Sequence, residues 1–447
     1  MEGMRTEVTA GQMEHWFGAD GVTRLPEHLL PPTDLLPHGP SRRFLTAIGL
    51  PADLADLELG LHHDDALPPV TGGLPNTAPG ARRLLVLGEP AYHGSHVVLD
   101  GETGQVHLAS WGRAVDGMPA LDPIASDLST LVHLMLETER VWRAATSPEL
   151  LGGRRGPAAV EAVNRLAEER MRAVDPEVFP EGGTPAHWNT AVLIRSMRWV
   201  AMPGGEGGPA FEITPELVAD LGEPYRYAEA DLPAGLTHAP TRRLLTEVGV
   251  PRDNEVFSSS EEELVTFAER SPERFEQAGE EAGEGDGGDA VGGAAEPAGS
   301  TGADADAGTG TDPAVLRQRD FYLVGHWIHD LHVLLDGATG RLEVPADSFD
   351  GKSYDGESYD GTPLAPYLNR DLSALLCTCW ILQRLREEQE RWDYGRAGET
   401  WRAFDVHSLL LSRMEDLMDH VDPHALEHLG GPWRTTVDDP YTGGPLG

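Results

Sequence analysis

The chain is poor in positive charge. Its 447 residues hold 34 Lys and Arg against 74 Asp and Glu, a formal net charge of −40. Nucleic-acid affinity rests largely on cations that displace counterions from phosphates, so direct binding to DNA or RNA is disfavoured. The same imbalance favours solubility and attracts a basic partner. Cysteine is nearly absent, with Cys377 and Cys379 the only two. They share one apolar stretch, too few for a metal site and turned to different faces by helical spacing, which reads as a reduced pair of core residues. No apolar run is long enough to span a bilayer, and the acidic start Met1-Glu2-Gly3-Met4-Arg5-Thr6-Glu7 lacks the basic and apolar regions of a signal peptide. A cytoplasmic protein is expected. Catalytic signatures are missing as well: no Ser/His/Asp arrangement, phosphate-binding loop or dinucleotide fingerprint stands in suitable context, so neither an enzyme nor a cofactor is expected.

What is present is one text written twice. His38-Gly-Pro-Ser-Arg-Arg-Phe-Leu-Thr-Ala-Ile-Gly-Leu-Pro51 returns 200 residues later as His238-Ala-Pro-Thr-Arg-Arg-Leu-Leu-Thr-Glu-Val-Gly-Val-Pro251. Further matches keep the same order. Leu99-Asp100-Gly101-Glu102-Thr103-Gly104 pairs with Leu335-Asp336-Gly337-Ala338-Thr339-Gly340, and Asp127-Leu128-Ser129 with Asp371-Leu372-Ser373. Val174-Asp175-Pro176 followed by Trp188 is echoed by Val421-Asp422-Pro423 followed by Trp433. Both starts, Thr9 to Gly18 and Thr214 to Gly222, read as short Thr-capped helices closed by Gly. A repeat of this length is a duplicated domain. Copy one is expected over residues 1–203, a Gly/Pro-rich linker over 204–212 and copy two over 213–447, with the copies folding separately.

A second low-complexity run, residues 277–312, is nearly all Gly, Ala, Glu and Asp. From Gly49 to Gly88 there are 39 positions and from Gly249 to Gly325 there are 76, a difference of 37 that matches this run. It is therefore an acidic insertion inside copy two, expected to be disordered because it offers no aromatic or long aliphatic side chain to offset ordering entropy.

Within each copy, short apolar runs such as Leu84 to Gly88 and Phe321 to Gly325 read as strands of an antiparallel meander turned by Asp, Gly and Thr. Leu128, Leu131, Val132, Met135 and Trp142, and equally Leu372, Leu375, Leu376, Cys379 and Leu382, recur at helical spacing. Further helices are expected near Ala158 to Ala173 and Trp401 to His420. Strands grouped before helices give an α+β fold, two tandem domains each with a mainly antiparallel sheet packed by helices.

The ordered set of His-x-Pro-Ser/Thr-Arg-Arg-x-Leu-Thr, a strand ending in Gly, Leu-Asp-x-x-Thr-Gly and a helix opening with Asp-Leu-Ser resembles the SUKH superfamily of bacterial immunity proteins, in particular its fourth subfamily. The resemblance covers most of both copies. It implies a non-enzymatic protein that binds and neutralises a bacterial polymorphic toxin, of nuclease or deaminase class, by blocking its active or substrate-binding surface. The partner would be that toxin, with a basic surface facing this acidic chain. The rival readings are a protein-interaction adaptor or regulatory scaffold, as relatives outside bacteria suggest, and more distantly a metal-dependent enzyme. The acidic insertion and a tandem Asp350-Gly-Lys-Ser-Tyr-Asp-Gly-Glu-Ser-Tyr359 segment depart from the family pattern.

Four sets of side chains are weighed for function. Tyr354, Asp355, Tyr359 and Asp360 place aromatics in a turn-rich loop, either as partner contacts or folded back on the sheet. His326, His329 and His332 have the spacing of metal ligands on a helix, but they fall in strand-like sequence, where residues three apart point to opposite sides, and no metal is expected. Arg42-Arg43 and Arg242-Arg243 form either an anion site or, being repeated as scaffold, partners for nearby carboxylates. His62-His63-Asp64-Asp65 reads as a polar loop without a counterpart near Asn254.

Overall fold

The computed structural model describes residues 7–59, 66–71, 77–91, 94–143, 151–179, 185–260, 263–275, 313–348, 366–392, 403–427 and 431–438. Copy one opens with the helix Ala10–Phe17, whose N-cap Thr9 forms a reciprocal capping box with Gln12. Gly39–Arg43 is a short helix that loosens into a π-turn over Phe44–Ile48, and the same sequence in copy two gives a helix Ala239–Arg243 and a π-turn Leu244–Val248. The main sheet follows as a six-stranded antiparallel meander in sequence order, from Asp53–Leu54 and Leu57–Glu58 through Leu84–Pro90, His96–Asp100, Val106–Val115 and Met118–Ala125. Copy two has the shorter version, five strands in order, from Phe257–Ser259 to Tyr367–Asn369. The α+β reading with antiparallel sheets thus holds in both copies.

The Gly that ends each first apolar run has a physical reason. The ladder shifts register between Val86 and Gly88, and again between Leu323 and Gly325. At these bulges the neighbouring strand's carbonyl crowds the α-carbon: a Cβ on Gly88 would lie 2.0 Å from Glu58 O, and one on Gly325 2.2 Å from Ser258 O.

Helices Leu128–Arg143, Gly156–Val174 and Ala186–Met197 follow the sheet of copy one. Leu128, Leu131, Val132 and Met135 are buried, as the helical spacing requires. In copy two the helix Leu372–Trp392 is buried on every side from Leu372 to Leu382. Cys377 and Cys379 are buried thiols within it, not joined in a disulfide, and burial raises both above the ordinary thiol range.

The compact units do not follow the sequence copies. The first unit takes in residues up to Met202 together with Trp380 to Val421, and the second takes in Pro203 to Cys379 with Asp422 to Asp438. The helix Val406–Val421, which belongs to copy two by sequence, therefore lies in the first unit, packed on Ala186–Met197. Buried polar groups fix the chain on either side of residues 393–402 within this unit. Asp122, 2% exposed, accepts the backbone N–H groups of Ala403 and Phe404. Glu388, 4% exposed, accepts from Thr190 at 2.6 Å, Asn189 at 3.2 Å and the Trp392 indole at 2.6 Å.

Buried within this unit is Asp56. It and Ala55 form the turn between the first two strands with φ of 64° and 55°, left-handed values that non-glycine residues adopt at a penalty. The buried Asp56 carboxylate is held by Arg195 from copy one and by Arg413, at 2.7 Å, from copy two. Burial pushes this carboxyl up, but the two guanidinium groups outweigh it and hold it below its ordinary value. Beside them His187 is fully enclosed, and burial pulls its imidazole down to about 4.

Two expectations follow. Removing one partner of a buried ion pair costs about 3–5 kcal/mol. Residues 1–203 expressed alone, lacking Arg413, should accordingly show a urea midpoint well below that of the first unit in the intact chain, and co-expressed residues 380–427 should raise it. An isolated fragment as stable as the intact unit would show that copy one is self-sufficient.

The second concerns pH. His187 stays neutral in the fold while in the unfolded chain it protonates near 6.5. The unfolded state therefore binds the extra proton, and stability falls as the pH drops from 6.5 to 4, by about 3 kcal/mol at about 1.4 kcal/mol per pH unit. Burial lowers His107 and His420 in the same direction, so His187→Gln should reduce the loss between pH 7 and 4.5 and leave part of it. An unchanged loss would remove His187 from the account.

Candidate functional site

The two most strongly repeated motifs, some sixty residues apart in copy one, dock on one another. His38 caps its helix from the side chain, its Nδ1 2.8 Å from Ser41 Oγ, and its backbone N–H donates to Gly101 O at 3.1 Å. The turn it meets is built by Asp100, which accepts from the N–H groups of Glu102 and Thr103 and from the Thr103 hydroxyl. Gly104, with φ of 82°, brings its α-carbon against the imidazole so closely that a Cβ would lie 2.2 Å from His38 Cε1. Copy two repeats the docking without the side-chain cap to the backbone: His238 Nδ1 is 2.8 Å from Thr241 Oγ1, its N–H donates to Gly337 O, Asp336 builds the turn, and a Cβ on Gly340 would lie 2.2 Å from the His238 ring.

A second repeated device sets the corner from the last strand into the long helix. Asp175, fully buried, accepts the Ser126 N–H at 2.7 Å, and Trp188 donates to Ile124 O at 2.7 Å. In copy two Asp422 accepts the Arg370 N–H at 2.7 Å and the Tyr367 hydroxyl at 2.9 Å, and Trp433 donates to Asn369 at 3.0 Å. Asp127 and Asp371 then cap the helices, accepting the N–H groups of Thr130 and Ala374.

Where these pieces meet in copy one lies a cleft of about 550 Å³. His38, Arg43 and Phe44 form one side, Thr103 comes from the turn, and Asp127 and Ser129 come from the start of the long helix. Its polar groups are the Arg43 guanidinium, the Glu7 and Asp127 carboxylates, the His38 and His133 imidazoles and several hydroxyls, beside Phe44. That set suits hydrogen bonding to a peptide backbone with apolar contact alongside.

The residues singled out in the sequence fare differently. Tyr354, Asp355, Tyr359 and Asp360 lie outside the described residues, as do His62 to Asp65 and the insertion 277–312. His326 and His332 do meet, because a 3-10 turn at Ile328–Asp330 reverses the chain between their strands. They become a directly opposed cross-strand pair with ring centroids 5.1 Å apart. The turn, which alternation along a single strand does not anticipate, supplies the convergence. In copy one His96, on the strand matching that of His332, has its Nδ1 3.4 Å from Glu89 Oε1. Among the described residues no group of three His, Cys, Asp or Glu is placed to hold a metal.

The arginine pairs divide their labour. Arg42 donates to the carbonyls of Pro31 and Leu36, and Arg242 to those of Pro233 and Leu236 and to Glu229, so the first of each pair clamps the preceding loop. The second, Arg43 or Arg243, is exposed. The sequence hid the cleft because its lining is the repeated motif itself, which reads as scaffold; Asp127 and Ser129 carried a signal only as helix-capping residues.

Gly104→Ala should lose about 1–3 kcal/mol from left-handed strain and the imidazole clash. In a His38→Ala background the clash is gone, so the double variant should lose less than the sum of the singles in urea titrations. Strict additivity would show that the imidazole and the glycine are not coupled.

No curated protein and no solved structure matches the chain. A profile of the SUKH-4 immunity protein family matches residues 8–194 and again residues 214–439, so each match carries the docked His and Asp motifs, the bulge glycine and the Asp-Leu-Ser helix described above. Between them the two matches take in most of the protein, and the chain belongs to the SUKH-4 immunity protein family, present as two tandem copies.

Proposed function

We propose that the protein is a non-enzymatic immunity protein that binds a toxin of nuclease or deaminase class in the bacterial cytoplasm and blocks its active or substrate-binding surface. The observation that carries this reading is the family match over both copies. The net charge of −40 supports a basic toxin face, since nucleic-acid-cleaving or -modifying enzymes present cations to phosphate and an acidic protein competes for them.

Association with the toxin encoded beside its gene should slow as salt rises, because the Debye length falls from about 10 Å at 0.1 M to about 3 Å at 1 M. Chelators should leave protection unchanged. Tyr354 and Tyr359 are proposed as anchors at the contact, and replacing both with Ala should speed dissociation more than it slows association. Co-expression followed by binding kinetics on the purified pair tests all three. A chain that neither protects against nor binds the neighbouring toxin would refute the immunity reading, and protection lost on chelation would point to a metal site instead.

A further inference from the structure

The His326–His332 pair, which has no part in the immunity reading, sits among cations. The two rings oppose each other on adjacent strands, their centroids 5.1 Å apart. Phe267 meets His332 edge-on at 6.3 Å, and the Arg274 guanidinium lies 5.4 Å from the centroid of the same phenyl ring. His332 Nδ1 is buried and takes no hydrogen bond among the described residues. Burial lowers this imidazole below its ordinary value, and the charged groups that lower it further, His326, Arg274 and Arg270, are all cationic.

In a chain with 74 Asp and Glu against 34 Lys and Arg this setting stands apart. His107, His187, His238 and His420 are lowered by burial as well, and each has at least one Asp acting on it. Around His332, Glu269 is engaged by the Thr266 N–H and hydroxyl at 2.8 Å, and the exposed Glu273 and Asp330 do not act on the ring. Copy one shows what the equivalent place accepts. There His96 has its Nδ1 3.4 Å from the Oε1 of Glu89, the residue that follows the bulge glycine Gly88. In copy two the residue that follows the bulge glycine Gly325 is His326. A second imidazole thus stands where copy one supplies a carboxylate.

We propose that copy two binds a small tetrahedral oxyanion, a phosphate or sulfate dianion, beside the His326–His332 pair, held by the two imidazolium rings and by the guanidinium groups of Arg270 and Arg274. Arginine and protonated histidine donate charge-assisted hydrogen bonds to such oxygens. A small anion answers to its immediate neighbours, because the chain's more distant negative charges are screened beyond about 8–10 Å, whereas a polyanion would meet them. A metal ion is the poorer occupant, since two imidazoles would hold it against two nearby guanidinium groups. The proposal is independent of the toxin.

Binding charges the imidazoles, so the bound state takes up protons and affinity rises as the pH falls. Isothermal titration of the full chain with sulfate, at constant ionic strength set by chloride, tests this. Sulfate remains a dianion throughout, so the imidazoles alone titrate. Saturable binding is expected, tightening by up to about tenfold per pH unit from about pH 7.5 to about pH 6. His332→Gln, and Arg270→Gln at an exposed position, should each weaken it about tenfold, the range for a lost hydrogen bond to a charged group. Phosphate should compete with sulfate, and His96→Gln in copy one should leave binding as it is.

No saturable binding, or binding that is independent of pH and unchanged in both copy-two variants, an adventitious ion only, would overturn the proposal. Sulfate binding that arises only when residues 277–312 are deleted would give the place to that acidic segment and overturn it too. Zinc or copper bound in place of sulfate and lost in His332→Gln would make the pair a metal chelate instead.

Discussion

The contact on which each domain depends is an imidazole laid against a bare α-carbon. His38 reaches Gly104, and His238 reaches Gly340, because those glycines adopt a left-handed φ and carry no Cβ. The contact joins the beginning of the domain to the hairpin at the middle of its sheet. It places His38 and Thr103 in the lining of a cleft together with Ser126, whose N–H the buried Asp175 carboxylate holds. Nearly every residue that defines the family text is used in this construction. The cleft is the space left over once the repeated motifs have docked, which is why it is lined by scaffold.

A second constraint crosses the repeat. Asp56 sits in a turn whose backbone favours glycine or asparagine, and its charge is buried. One guanidinium from each sequence copy answers it, and Arg413 arrives on a helix that the compact units assign to the first body rather than to copy two. The repeat in the sequence and the units in the fold thus divide the chain differently after residue 379.

Local periodicity and turn chemistry made much of the fold legible. The Thr-capped helices, the meander, the Asp-Leu-Ser helix and its buried Leu128, Leu131, Val132 and Met135 all follow from patterns within a dozen residues. Long-range pairing was not legible. Nothing adjacent to Asp56 announces Arg195 or Arg413, and alternation along a strand gives no hint that His326 and His332 meet across a reversal. The cleft stayed hidden for a different reason. Its lining is the repeated motif itself, and Arg43 and Asp127 read as scaffold because Arg243 and Asp371 recur in register.

The docking of the His motif on the Asp-Gly turn is the core of the account and is open to one direct measurement: backbone hydrogen exchange of the full chain, wild type against Gly104→Ala. The account predicts faster exchange at residues 39–46 and 99–104 together, with the equivalent stretches 239–246 and 335–340 unchanged. Faster exchange confined to the turn, or at neither stretch, would contradict it.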